Sequence, residues 1–455
     1  MSHRLNRIIF VGLIAAVVFT ALAHGAVEPW SVAVFEILMV GLLLLWGIQV
    51  VVSKRCFIHL PAFVWPLAGL AALGVMQSVV VSNAGGQRQS LSMDVEATRM
   101  VTLLLFCLMA AAVLAASFVR GRERLNTLLD FLVAFGFALA VFALIQHFSW
   151  NGKLYWLRPI TAQASAPFGP FVNHNHFAGY VAMLAPLPVA LIVAHAARTE
   201  ARLWYGFAAA LMGLAVIVSL SRGGILSLMA AMTFVLLMSF RFRPERATHR
   251  TLRNLAVPGS VAFVLIAIIA GIFWLGAEPV INRLTAGRLT GDGARTETFH
   301  TSRGWIWEDT LRMISARPLI GVGLGAYQTV HPNHSRTDGS LIVDKAHNDY
   351  LHLLAETGVI GGALALWFAL AVFGAVARGV RSRDPLMAAL ALGSGGGIVA
   401  MLIHSFFDFN LQLPANSLLF LLLAVTASLS ATAAAPEPKL ADDAIRARLA
   451  AGVSS

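Results

Sequence analysis

Residues 345 to 350 read Lys-Ala-His-Asn-Asp-Tyr, so five of six consecutive side chains can form hydrogen bonds. The reactive group among them is the imidazole of His347. An unperturbed imidazole titrates near neutrality and can take the proton of an attacking hydroxyl. Lys345, Asn348, Asp349 and Tyr350 surround it in sequence and are candidate substrate contacts. The plainer reading is a histidine satisfied by the nearby carboxylate of Asp349. The run closes the one long hydrophilic stretch of the chain, from about Ala277, and an apolar run opens directly after it. A base placed there meets water on one side and hydrocarbon on the other.

Other polar groups stand where apolar sequence predominates. Arg222 lies between two apolar runs and precedes Gly223-Gly224. A charge near or inside a bilayer costs roughly 2.5–3.5 kcal/mol on insertion scales, so it usually has a partner. A guanidinium beside the free N–H groups of a helix start suits a phosphate; the alternative is an arginine snorkelling from a helix end. Arg303 could supply a second cation to a dianionic group, with Arg288, Arg295 and His300 as weaker candidates of the same kind. Asn173, His174, Asn175 and His176 stand at the mouth of another apolar run. They read as the polar lining of a substrate cleft or as helix caps. Two histidines at i, i+2 do not share a helix face, which makes a metal pair a poor reading. His404, Asp408, Asn410 and Gln412 crowd the segment before the last apolar run. Their carboxylate could pair with an arginine or orient a sugar, unless the cluster only caps helix ends. No GxxxxGK[ST] loop and no His/Cys cluster with metal-ligand spacing is present, so no cofactor is implied.

The elements that must hold these groups are apolar helices. Hydrophobic residues make up 58% of the 455 and charged ones only 12%, against roughly 25% charged in soluble domains; mean hydropathy is +0.76. The predicted class is all-α, a polytopic membrane protein. Runs of the roughly 20 residues a spanning helix needs fall near 8–23, 30–52, 61–82, 98–119, 127–148, 171–195, 203–220, 223–240, 255–276, 351–377, 386–406 and 415–432. That gives about twelve spans, with Leu220–Gly224 as the weakest boundary. The net charge of +11 reads as topology rather than nucleic-acid binding. With the N-terminus cytoplasmic, 20 of the 33 Lys+Arg fall in inner segments and five in short outer ones, as the positive-inside rule requires. Both termini are then cytoplasmic and the long loop lies outside. The first run is expected to be a retained helix rather than a cleaved signal. Cys56 and Cys107 predict no disulfide framework.

Five segments follow: 1–160 and 161–276 as two groups of spans, 277–350 as the outer loop, 351–432 as the last spans and 433–455 as a cytoplasmic tail. Within the loop, Ser302 to Ala316 predicts an amphipathic helix ended by Pro318. Trp305, Ile306, Leu311 and Ile314 form its apolar stripe, which would lie on the membrane surface. Gly321, Gly323 and Gly325 predict turns.

Taken in order, these motifs resemble the O-antigen ligase family and the wider group with O-antigen polymerases and bacterial protein O-oligosaccharyltransferases. The resembling residues are Gly169–Phe177 with Ala178, Ser221-Arg222-Gly223, Ser302-Arg303 through Pro318–Gly323, His347–Leu351, and His404-Ser405 to Pro414-Ala415-Asn416. They cover roughly Phe168 to Leu429. The resemblance implies glycan transfer on the periplasmic face of the bacterial inner membrane. The donor would be O-antigen on undecaprenyl diphosphate and the acceptor a sugar hydroxyl of lipid A–core, with no ATP or metal. On that expectation Arg222 and Arg303 hold the diphosphate and His347 is the base, with inversion at the anomeric carbon. The rival expectations are a polymerase or protein O-oligosaccharyltransferase from the same group, and, from another class, a lipid-linked oligosaccharide transporter.

Overall fold

The computed structural model describes residues 2–82, 88–159, 167–239, 303–335 and 342–433. The expected span at 255–276, the first part of the outer loop with Arg288, and the tail at 434–455 lie outside the described residues.

Helices dominate. They are α1 (Ser2–Leu22), α2 (Pro29–Ser53), α3 (Val64–Gln77), α4 (Val95–Phe118), α5 (Arg122–Phe148), α6 (His174–Leu184), α7 (Pro186–Val193), α8 (Arg202–Val218) and α9 (Arg222–Ser239). After the undescribed stretch come α10 (Arg303–Ala316), α11 (Tyr327–Val330), α12 (Asp349–Gly379), α13 (Pro385–His404) and α14 (Pro414–Ala433). Among the described residues ten helices, with α6 and α7 counted as one, are long and apolar enough to cross a membrane. Their starts are written locally. Asp94, Asn173, Asn348 and Asp384 each turn a side-chain oxygen onto a backbone N–H of the first turn, which satisfies a donor the helix itself cannot. Proline opens α2, α7 and α13, where its missing N–H costs nothing.

The run expected to span 61–82 is shorter than anticipated. It ends at Gln77, and the chain turns into an antiparallel hairpin of β1 (Val80–Ser82) and β2 (Arg88–Ser90). The cause is Gln77 itself. Its buried carboxamide donates to the carbonyls of Ile320 and Glu356 and accepts from the Leu324 N–H. An apolar helix that must present this group to a polar segment stops there.

The boundary at Leu220 is a true break. Leu220 takes a left-handed φ of 57° and α9 starts afresh at Arg222, with the Ser221 hydroxyl accepting the Gly224 N–H at 3.1 Å. The Tyr205 hydroxyl in the first turn of α8 donates to Asp130 near the start of α5. Gly223 in the first turn of α9 abuts His404, the last residue of α13. So α8 climbs toward the end of the bundle that carries His404 and α9 descends from it. The other end carries Ser2, Ala433 and the Arg122–Asp384 ion pair.

The polar segment between α10 and α12 is a small core of its own. Met313, Val322, Ala326, Tyr327, Val330, Ala346 and Ala355 pack together. The buried face of α10 includes Ile306, Thr310 and Met313; of the expected stripe, Ile306 is buried and Ile314 packs against this core, while Leu311 is 53% exposed. The segment is locked to α12 by an interruption. Gly358 takes φ 61° and ψ −162° inside α12. A side chain there would strike the Leu319 backbone, and one at Gly321 would strike Glu356. The chains cross backbone to backbone, with the Val359 N–H donating to the Pro318 carbonyl at 2.8 Å.

Candidate active site

Asn348 begins the site. Its side-chain oxygen accepts the N–H groups of Tyr350 and Leu351 at 3.0 and 3.1 Å, and its amide donates to the Phe406 carbonyl. The next two residues hold the same neighbour. The buried Asp349 carboxylate accepts from the Ser405 hydroxyl at 2.9 Å and the Leu411 N–H at 3.1 Å. The Tyr350 hydroxyl donates to the Leu402 carbonyl at 2.7 Å. These three side chains, expected to touch substrate, are engaged in stapling the start of α12 to the last turn of α13 and the segment after it.

That stapling delivers His347 to Asp408. The His347 Nδ1 lies 3.1 Å from the Asp408 Oδ1, which also accepts the Phe409 N–H at 3.0 Å. Asp408 is 1% exposed and His347 32%. A carboxylate accepts only, so a neutral His347 carries its proton on Nδ1 and leaves Nε2 free to act as a base. His347 has φ 49°, a left-handed conformation that costs a side-chain-bearing residue roughly 1–2 kcal/mol. The ring also meets Phe409 edge-on, centroids 5.1 Å apart. Sequence proximity pointed to Asp349 as the partner; Asp349 instead faces Ser405 and Leu411, and the partner is Asp408.

The remaining candidates are placed as follows. His176 is buried, and its ring packs on Phe409 from a centroid distance of 4.9 Å. Asn173 is the cap of α6, accepting the Asn175 N–H at 2.8 Å, and His174 is half-buried beside it. His404 is buried at the end of α13. Arg222 is exposed in the first turn of α9, and it makes no ion pair among the described residues. Gly223 beside it lets α9 approach: a Cβ there would stand 3.1 Å from the His404 ring and from Phe407. Phe407 precedes Asp408, so one short segment, 404–408, joins the Arg222 helix start to His347. Arg303 is the first residue of α10, one turn before Trp307, whose indole N–H donates to the Ala346 carbonyl at 3.0 Å. The backbone of Arg303 thus belongs to the helix that docks beside His347. Lys345 is half-buried in the extended run leading in, and Arg288 is outside the described residues.

Two residues escaped the sequence reading. His352 and Glu356 are buried one turn apart on α12, with His352 Nε2 3.1 Å from Glu356 Oε1. Their signal was present as ionisable residues at i, i+4 at the head of an apolar helix. Cys56 and Cys107 are both free.

The arrangement can take a proton from a hydroxyl beside His347 and offers a cation and a helix start to an anion close by. No curated protein matches the chain. Residues 207–366, running from α8 through the polar segment into α12, match a family model described as O-antigen ligase, and this match supports membership of the O-antigen ligase family.

Proposed function

We propose that this protein transfers O-antigen polysaccharide from undecaprenyl diphosphate to a sugar hydroxyl of lipid A–core at the periplasmic face of the inner membrane. The coarser statement is that it acts on lipid-linked glycans as O-antigen ligases and polymerases do, which the family match supports. The observation that carries the finer reading is the His347–Asp408 pair at 3.1 Å, placed at the same end of the bundle as the start of α9.

The chemistry balances without an external energy source. The acceptor oxygen bonds to the anomeric carbon as the bond from that carbon to the diphosphate oxygen breaks. The hydroxyl proton passes to His347 Nε2, while Asp408 stabilises the imidazolium through Nδ1. Undecaprenyl diphosphate leaves, and His347 returns its proton to water. Single displacement inverts the anomeric centre. Negative charge grows on the leaving diphosphate, and preorganised cations bind it more tightly in the transition state than in the ground state. Arg222 with the α9 N-terminus, and Arg303, take that role. The positive-inside bias supports the orientation, with Ser2 and Ala433 at the cytoplasmic end.

The test is ligation by purified protein given lipid-linked O-antigen and lipid A–core, with and without a chelator. A new glycosidic bond to core sugar in both arms is the expected result. Polymer growth on the lipid carrier instead would make the protein a polymerase, and transfer only to Ser or Thr of a protein would make it a protein transferase. Donor movement with no new bond would make it a transporter.

A further inference from the structure

Beyond the pair that touches the acceptor, the turn that carries His347 is gripped from behind. Ala346 is fully buried, and both of its backbone polar groups are bound by side chains rather than by backbone. Its N–H donates to His352 Nδ1 at 3.3 Å. Its carbonyl accepts the Trp307 indole N–H at 3.0 Å. One jaw comes from α12 and the other from α10. The residue held next to this grip is His347, with its left-handed φ of 49°.

The grip has a defined protonation pattern. Because the Ala346 N–H is a donor, His352 Nδ1 must accept, and the ring proton must sit on Nε2. Nε2 lies 3.1 Å from Glu356 Oε1, a carboxyl oxygen placed to accept its proton in a hydrogen bond. Glu356 Oε1 also accepts the Tyr327 N–H at 3.3 Å, and the Tyr327 ring stacks on His352 with centroids 4.5 Å apart. A hydrogen bond to the second ring nitrogen fixes the tautomer of the first. Glu356 therefore sets His352, His352 sets Ala346, and Ala346 sets His347.

We propose that His352 and Trp307, with Glu356 behind them, are positioning residues that hold the Ala346 peptide groups and so aim His347 at the acceptor hydroxyl. This rests on His347 being the base. His352 and Glu356 are buried, and they act through the backbone of Ala346. Their loss reduces turnover without weakening donor binding, because the diphosphate is held elsewhere.

The experiment compares His352→Asn, His352→Gln, His352→Leu and Trp307→Phe in the purified ligation assay, with His347→Ala alongside. Asparagine keeps an acceptor where Nδ1 stood; glutamine reaches toward Glu356 but presents none to Ala346. A displacement of about 1 Å in a reacting group can cost about 100-fold. On that scale kcat falls about 100-fold in His352→Leu and about tenfold in His352→Gln and Trp307→Phe, with the donor KM within about twofold, whereas His352→Asn stays within about threefold of the native rate. Native kcat in His352→Leu, a loss carried by donor KM, or His352→Asn no better than His352→Gln would overturn the clamp. If His352→Leu does not fold, Trp307→Phe and the Asn–Gln comparison decide. Native turnover in His347→Ala would overturn the base itself; a dead His347→Ala beside a normal Trp307→Phe and His352→Gln removes only the clamp.

Discussion

His347 and Asp408 are 61 positions apart in the chain, and their side chains meet at 3.1 Å. The acid is buried and the base is partly open. Such a pair fixes which ring nitrogen faces the reactant, and it stabilises the charge the ring acquires.

Asp408→Asn should therefore lower turnover about 10²–10⁴-fold, the range general-base catalysis usually contributes. An asparagine amide facing Nδ1 would favour the wrong tautomer. His347→Ala should lose at least as much and leave donor binding in place. Single-turnover ligation with labelled donor reads both. Native rates in Asp408→Asn would remove the dyad from the reaction.

Arg222→Ala should slow donor use by about 10²–10³-fold, the cost of one charge-stabilising donor at a reacting centre. Arg222→Lys should recover part of it, since an ammonium is a point charge without the guanidinium fork. Initial rates over a range of donor concentrations give the answer. Full activity in Arg222→Ala would place the diphosphate elsewhere.

Burial holds the His331 imidazole below its ordinary value, and the Asp309 carboxylate beside it pulls the other way. The folded chain then takes up that proton less readily than the unfolded chain. Stability from this site is complete above the unfolded value of about 6.5 and declines as pH drops below it. Amide protection factors, corrected for the intrinsic pH dependence of exchange, should fall across residues 303–335 between pH 7.5 and pH 5.5, and His331→Phe should reduce that fall. Equal protection at both pH values in the native protein would refute the link.

Gly358→Ala should destabilise the protein by roughly 1–3 kcal/mol or more, since an alanine must adopt a strained backbone region. Its methyl group also meets the Leu319 backbone. The apparent melting temperature in detergent should fall, while a Gly41→Ala control, with open space around it, should not follow. An unchanged melting temperature in Gly358→Ala would mean the crossing can relax.

Much of the fold could be read in advance because hydrocarbon imposes a simple rule: long apolar runs become helices. Arg303–Ala316 was also legible, since Pro318 marks its end. What escaped depended on contacts across the chain. Gln77 lies inside a run expected to span 61–82, yet its three bonds to Ile320, Leu324 and Glu356 end the helix. The expected stripe of α10 left out Met313, yet Met313 enters the small core while Leu311 stays exposed. At the site, the importance of His347 was visible in its neighbours, while its partner was not. Asn348 caps the helix and sends Asp349 into the bundle, so the nearest carboxylate in sequence points elsewhere. Asp408 waits beyond the end of α13, outside even the matched family segment.

The break at Gly358 bears on how the protein lives with its membrane. The rod of α12 that can meet lipid is Val359–Gly379, while His352, Glu356 and the start of the helix belong to the polar layer above it. Spanning helices tilt as bilayer thickness varies, at a cost of fractions of a kcal/mol per Å of mismatch. A rigid helix would carry such a tilt straight to its first turn. Here the glycine interrupts that rigidity, and the seat of His347 is held at the Pro318–Gly323 crossing, which bonds Ala355 and Glu356 before the break and Val359 after it. Ligation should therefore be insensitive to acyl-chain length in reconstituted vesicles.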